Sequence, residues 1–174
     1  MTADYHSRRW RLPRQAVDLS FREMAEHGAG GNEGIVFWLG TIDGPEVSIT
    51  HVVAIRGPGI VREPLFLQIS AGAVNALTDA AVGLGAVLVG QIHAHPGGFV
   101  DLSATDRRLG ISFPNYLSVV APEYAQRPEA PVADCGVHIF CPPRGFIRLS
   151  AAEACQRLLV VEGSAAFVVV EAPE

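Results

Sequence analysis

A chain of 174 residues, 49% of them apolar and 18% charged, can bury one real core and lacks the composition of a disordered tail or a fibre. Thirteen basic and eighteen acidic residues give a net charge of -5, which argues against broad binding to nucleic acid or to an anionic membrane. The longest apolar run, AVGLGAVLVGQI, is too short and glycine-rich to cross a bilayer, and three cysteines with no C-x-x-C pair do not make a disulfide framework.

Residues 1–13 include MTADYHSRRWRLP, which lacks the apolar stretch of a secretory signal, so a cytosolic setting is expected. The basic run RRWRLPR reads as a flexible, solvated arm, or as one that docks an acidic partner through Trp10. Pro13 then opens RQAVDLSFREMAEHG, where Ala16, Leu19 and Met24 approximate a helical stripe and Gly28 supplies a stop. GIVFWLGTI (34–42) and EVSITHVVAI (46–55) predict two strands joined by an Asp-Gly hairpin turn. RGPGIVREP (56–64) is a loop by its glycines and prolines.

LFLQIS (65–70) predicts another strand, AGAVNALTDAAVGLG a helix ending near Gly83 or Gly85, and AVLVGQIHAH (86–95) a buried strand. SATDRRLGISF reads as a short helix, YLSVVAP as a strand and QRPEAPVAD as an exposed loop. CGVHIF and FIRLS are strands, AAEACQRLL a helix and AAFVVVEA the last strand. The sum is a single domain of mixed α/β or α+β class, a sheet flanked by helices.

The chemistry concentrates in QIHAHPGGFVDLSATD, residues 91–106. Side chains two apart on a strand share a face, roughly 6.5 Å apart at their α-carbons, so His93 and His95 can aim both imidazoles at one point. Pro96 and two glycines end the strand and let the chain turn back. Ser103 and Asp106 fit the S-x-x-D pattern of a helix capping box, and on those two residues alone a cap is the plainer reading. With His-x-His before them, a carboxylate on the first helical turn can supply a third ligand. Two imidazoles and one carboxylate leave an open position for water, the arrangement of catalytic zinc. Hydrolysis then needs a general base and an oxyanion donor. Glu33, Glu46 and Glu63 all lie near strand ends, and spacing does not choose among them.

The string His93, Ala94, His95, Pro96, six residues, Ser103, two residues, Asp106 resembles the H-x-H-P-x6-S-x-x-D signature of the JAMM (MPN-plus) zinc metalloproteases. EGIVFWLG, from Glu33 to Gly40, resembles the family's upstream glutamate before a strand ending in Leu-Gly. The order of elements around the string is also the family's. The resemblance implies a single MPN-like domain over 1–174 with a mixed, curved sheet. It implies one zinc ion on His93, His95 and Asp106, Glu33 as general base and proton shuttle, and Ser103 as oxyanion donor. Two positions depart from the pattern: Ala94 stands where members commonly carry serine or threonine, and Val36 where they often carry glycine. Neither is a ligand, and both bear on substrate fit.

For activity, the resemblance implies a deubiquitinase-like isopeptidase that cuts after the C-terminal glycine of a ubiquitin-like protein. The tail would lie along a sheet edge, with RGPGIVREP and AQRPEAPVAD as candidate groove walls. A compact chain rich in alanine, glycine and arginine points to a bacterial member, and there the resemblance implies as partners the ubiquitin-like protein, its conjugates and the conjugating enzymes of one operon, in an antiviral defence setting. Two alternatives stay open: a processing peptidase that matures a ubiquitin-like or sulfur-carrier precursor, and a scaffold without catalysis. None of the thirteen basic residues is lysine. GC-rich codon usage explains that simply, and escape from conjugation on its own surface is the sharper reading.

Other candidates are set aside. Asp101 lies in the glycine loop, off the family string. His51 and His138 lack a spaced partner and read as hydrogen-bonded core or surface residues. Cys135 and Cys141 read as buried thiols, because the tetrad spacing of a structural zinc site is missing.

Overall fold

Alternating β-branched and aromatic residues in Ile35–Asp43 (β2) and Glu46–Arg56 (β3) build the central hairpin. It turns at the expected Asp-Gly pair, where Gly44 takes a positive φ of 54°. The computed structural model describes residues 7–127 and 132–173. The outer edge of β2 pairs antiparallel with Val87–Ala94 (β6), and β6 pairs parallel with Leu117–Ala121 (β7). Gly136–Phe140 (β8) and Phe146–Arg148 (β9) continue that side as antiparallel strands.

On the other side β3 shares its edge between two parallel partners. Arg9–Pro13 (β1) takes Glu46 to Ser48, and Ala166–Glu171 (β11) takes His51 to Arg56. Leu158–Val161 (β10) extends β1. The result is a mixed, curled nine-stranded sheet with four helices against it, an α+β domain as expected.

Helix α1 (Arg14–Gly28) packs on one face, where Met24 joins Trp38, Ile92 and Val119 in the largest core cluster. Helix α2 (Ala71–Gly83) covers the other face, with Leu77 against Phe37 and Ile55. Glu23 of α1 is buried and ion-pairs with Arg56 of β3, Nη2 to Oε2 at 2.9 Å. The helix is thereby tied to the strand that carries the sheet's branch. Among the described residues no helix is long and apolar enough to cross a membrane.

Three strands escaped the sequence reading. Residues 9–13, expected within a solvated arm, are strand β1, with Trp10 and Leu12 each 1% exposed. The period-two alternation of RWRLP is real, but arginine at the outward positions disguised it as a basic run. Residues 1–6 of that arm lie outside the described residues. Within the expected loop 56–64, Ile60–Glu63 (β4) pairs with Phe66–Ile69 (β5) as a separate two-stranded sheet. The glycines and prolines mark its ends rather than a structureless stretch. The last helix, Ala151–Arg157 (α4), stops two residues early because Leu158 takes strand geometry and begins β10. Of the exposed loop 126–134, residues 132–134 form one 3-10 turn and 128–131 lie outside the described residues.

Candidate metal centre

Strand β6 has a partner on each edge, so its side chains are fixed in direction before any ligand is considered. His93 stands between Ile35 of β2 and Val120 of β7. His93 and His95 point to one face and are 1% and 5% exposed. The turn at Pro96–Gly98 brings Phe99 back over His95, and His95 Nδ1–H donates to the Phe99 carbonyl at 2.9 Å. A carbonyl only accepts, so Nδ1 carries a hydrogen, and in the neutral ring the Nε2 lone pair would face the site, the usual arrangement behind a metal-bound histidine. The Phe99 ring also stacks on the imidazole, centroids 6.0 Å apart.

The loop then reaches the six-residue helix Ala104–Leu109 (α3). Its path requires Gly136 of β8, where a Cβ would stand 1.7 Å from the Val100 carbonyl oxygen. The capping box is present: Asp106 N–H donates to Ser103 Oγ at 3.1 Å and Ser103 N–H to Asp106 Oδ2 at 2.7 Å. The cap does not compete with the ligand role. Asp106 Oδ2 lies 3.3 Å from His95 Nε2 and 3.6 Å from His93 Nε2, and the two Nε2 atoms are 3.1 Å apart.

Those three distances provide a test of fit. Zinc bonds of 2.0–2.1 Å at tetrahedral angles place ligand atoms about 3.3 Å from one another. The triangle matches that size, and these three side chains form the one group of metal-ligating type among the described residues. A group of three leaves a coordination position open, as at catalytic rather than structural sites.

The charges agree with the geometry. Burial alone would raise Asp106, yet hydrogen bonds from His93 and His95, the charge of His93 and the bond to Ser103 hold its carboxyl well below the usual range. Burial likewise opposes charge on His95, but Asp106 and the Phe99 carbonyl outweigh it and raise its pKa. The metal-free site therefore favours a proton where a cation would sit.

Glu33, 5% exposed, lines one cavity of ≈ 220 Å³ together with His95, Ser103 and Asp106. Burial pushes its pKa up to about 7, with His95 opposing and Asp106 adding to the rise. Two backbone bonds hold it there. Glu33 N–H donates to the Glu63 carbonyl at 3.1 Å, and Ala94 N–H donates to the Gly34 carbonyl at 2.9 Å. Of the other glutamates considered, Glu46 pairs with Arg9 and Glu63 is exposed; neither lines this cavity.

Gly34 lets the loop lie against α1: a Cβ there would stand 2.7 Å from Met24 Cα. Gly34→Ala is expected to destabilise the fold by about 1–3 kcal/mol and to move Glu33, while any metal affinity of the His93–His95–Asp106 group stays. Thermal melting and a chelator-competition titration check both parts, and an unchanged melting temperature would show that the loop has room.

The residues set aside fall where expected, with one addition. His51 contacts Thr50 Oγ1 through Nδ1 at 2.8 Å, and His138 is fully buried on Asp101. Cys135 and Cys141 are free, buried thiols. The addition is Asp101, which lies outside the His93–His95–Asp106 group but accepts from both His138 and Arg107. Ala94 and Val36, the two departures from the family pattern, point away from the histidines into the core with Trp38 and Ile92, so they bear on packing rather than on the substrate face. The Phe99 contact was not foreseen, because a backbone carbonyl leaves no mark in a sequence. Leu65, Phe66 and Leu67, in the turn and first residues of β5, wall the cavity, whereas no residue of RGPGIVREP (56–64) does. The described part of AQRPEAPVAD does not reach it.

No protein-family model matches the chain, and comparison with curated proteins gives no match. Among solved structures, the solution structure of protein DSY2949 from Desulfitobacterium hafniense is similar, with a TM-score of 0.59 and 19% identity over 88% of this chain and 94% of that one. The likeness supports the fold alone.

Proposed function

We propose that the chain is a JAMM-type zinc metalloprotease that hydrolyses the bond after the C-terminal glycine of a ubiquitin-like protein. The observation that carries this reading is the triangle of His93 Nε2, His95 Nε2 and Asp106 Oδ2, with spacings of 3.1 to 3.6 Å, two of whose side chains, His95 and Asp106, line one cavity with Glu33. Bound zinc would supply Lewis acidity and a water acidic enough to lose a proton near neutrality.

The chain's own residues do the rest. Glu33 takes the proton of the attacking water and returns it to the leaving amine nitrogen, a double duty suited to a carboxyl with a pKa of about 7. Ser103 Oγ accepts the Asp106 N–H through a lone pair. Its O–H can then donate to the oxygen of the scissile carbonyl as charge develops there. Leu65 on one side and Phe99 on the other are 79% and 62% exposed, apolar walls that favour a slender tail ending in glycine over a bulky side chain.

Purified protein is expected to release a ubiquitin-like domain from an isopeptide conjugate at its terminal glycine. Chelator should stop the reaction and added zinc restore it, with gel and mass analysis reading the products. Cleavage of a linear C-terminal extension but not of the conjugate would make the protein a processing peptidase. Intact substrates in every arm, zinc included, would overturn the protease reading.

A further inference from the structure

We propose that Asp101, which plays no part in binding the metal or in the chemistry, positions the ligand Asp106 through Arg107, with His138 fixing Asp101 from behind. The inference rests on the metal reading above and concerns what holds the third ligand in place.

Helix α3 is six residues long and none of them is buried. A helix this short is marginal by itself, and the nearest apolar anchor is Leu102, just before the cap, buried with Tyr116, Val120 and Phe146. The capping box joins Asp106 to Ser103 within the same segment, so it shapes the helix without anchoring it. Past Leu102, the anchor of the helix itself is polar. Arg107, next to the ligand, donates from Nη1 to the Phe146 carbonyl on β9 at 2.9 Å and from Nη2 to Asp101 Oδ1 at 2.9 Å.

Asp101 Oδ1 also accepts from His138 Nε2 at 2.8 Å and from Leu102 N–H at 2.8 Å. His138 is fully buried in β8, with Nδ1 facing the Ser118 carbonyl of β7 at 3.3 Å. One carboxylate oxygen thus links the ligand helix to the same sheet that carries the histidines. Arg107 and Asp101 keep 39% and 32% of their side chains exposed, so as a surface pair they contribute little to overall stability. Their effect is on position, and metal sites tolerate errors of only about 0.2 Å in ligand distance.

The test compares metal binding with metal-free stability. Asp101→Ala and Arg107→Ala are each expected to weaken zinc binding about 10-fold in chelator competition and to alter the visible spectrum of the Co2+-loaded protein. The metal-free melting temperature of Arg107→Ala should stay within about 3 °C of wild type, as for the loss of one exposed pair, whereas Asp101→Ala also leaves buried His138 without its acceptor and should melt lower still. The double variant should bind zinc no more weakly than Arg107→Ala alone, which already removes the Asp101 link together with the Phe146 bond. Asp101→Asn keeps an acceptor for Arg107 and should hold zinc affinity within about threefold of wild type. Arg14→Ala, which breaks the exposed pair with Glu162, is the control and should change nothing.

Wild-type affinity and spectrum in both alanine variants would overturn the tether, as would additive losses in the double variant. A wild-type chain that binds no zinc would instead remove the metal reading, and the tether with it.

Discussion

Glu33→Gln is expected to lose turnover by roughly 10²- to 10⁴-fold while zinc affinity stays at its wild-type level. Glu33 is outside the ligand triangle but shares its cavity, so the change should remove a proton acceptor without removing a metal donor. Glutamine has nearly the same shape as a protonated glutamic acid, and the backbone bonds that place residue 33 are untouched.

The same substitution has a stability signature in the metal-free chain. Glu33 titrates at about 7 when folded, against an ordinary value of 4.5. A carboxyl with a raised folded pKa binds its proton more tightly in the native state, so its contribution to stability falls as pH rises from about 4.5 to about 7. The span corresponds to about 3 kcal/mol at most. Glutamine cannot ionise, and the variant should lose that decline, melting above wild type at pH 8. Retained turnover would move the base to another residue. Lost zinc would make Glu33 a ligand.

The parts of this site that are local in sequence were legible. His93 and His95 are two apart on a strand, and Ser103 and Asp106 are three apart at a helix start; both spacings carry geometry by themselves. Glu33 was legible only by resemblance, since its place beside Ala94 depends on pairing between strands far apart in the chain. Phe99 and Asp101 were beyond reach for a related reason. One acts through a backbone carbonyl, and the other through His138, a residue 37 positions away. In the fold, the long strands and helices follow from pattern. Strands β1, β4 and β10 do not, because four or five residues gain strand geometry from their partners more than from their own propensity.

Asp106→Asn is the companion test of the centre itself, and zinc affinity is expected to fall by 100-fold or more, on the order of 3 kcal/mol. Asparagine can still accept the Ser103 N–H through its side-chain oxygen, and the Ser103 Oγ bond is to a backbone N–H, so α3 keeps its cap. What disappears is the negative charge between two imidazoles. The carboxylate, depressed below 3.8, contributes stability that is lost only as pH falls below that value. It is therefore fully present at both pH 6 and pH 8.

His95 behaves in the opposite sense: with its pKa raised above 6.5, its contribution is complete below 6.5 and fades as pH climbs through the folded value. Asp106 lifts both His95 and Glu33, so the metal-free wild-type chain should be more stable at pH 6 than at pH 8. In Asp106→Asn only the Phe99 carbonyl and Glu33 remain to oppose burial at His95, which then loses its proton more readily, and the difference between the two pH values should shrink. Thermal melts at pH 6 and 8, paired with chelator competition, read both effects on one sample. Zinc bound as tightly as by wild type would mean that the carboxylate caps a helix and does no more. An unchanged pH difference would mean that its charge does not reach the histidine 3.3 Å away.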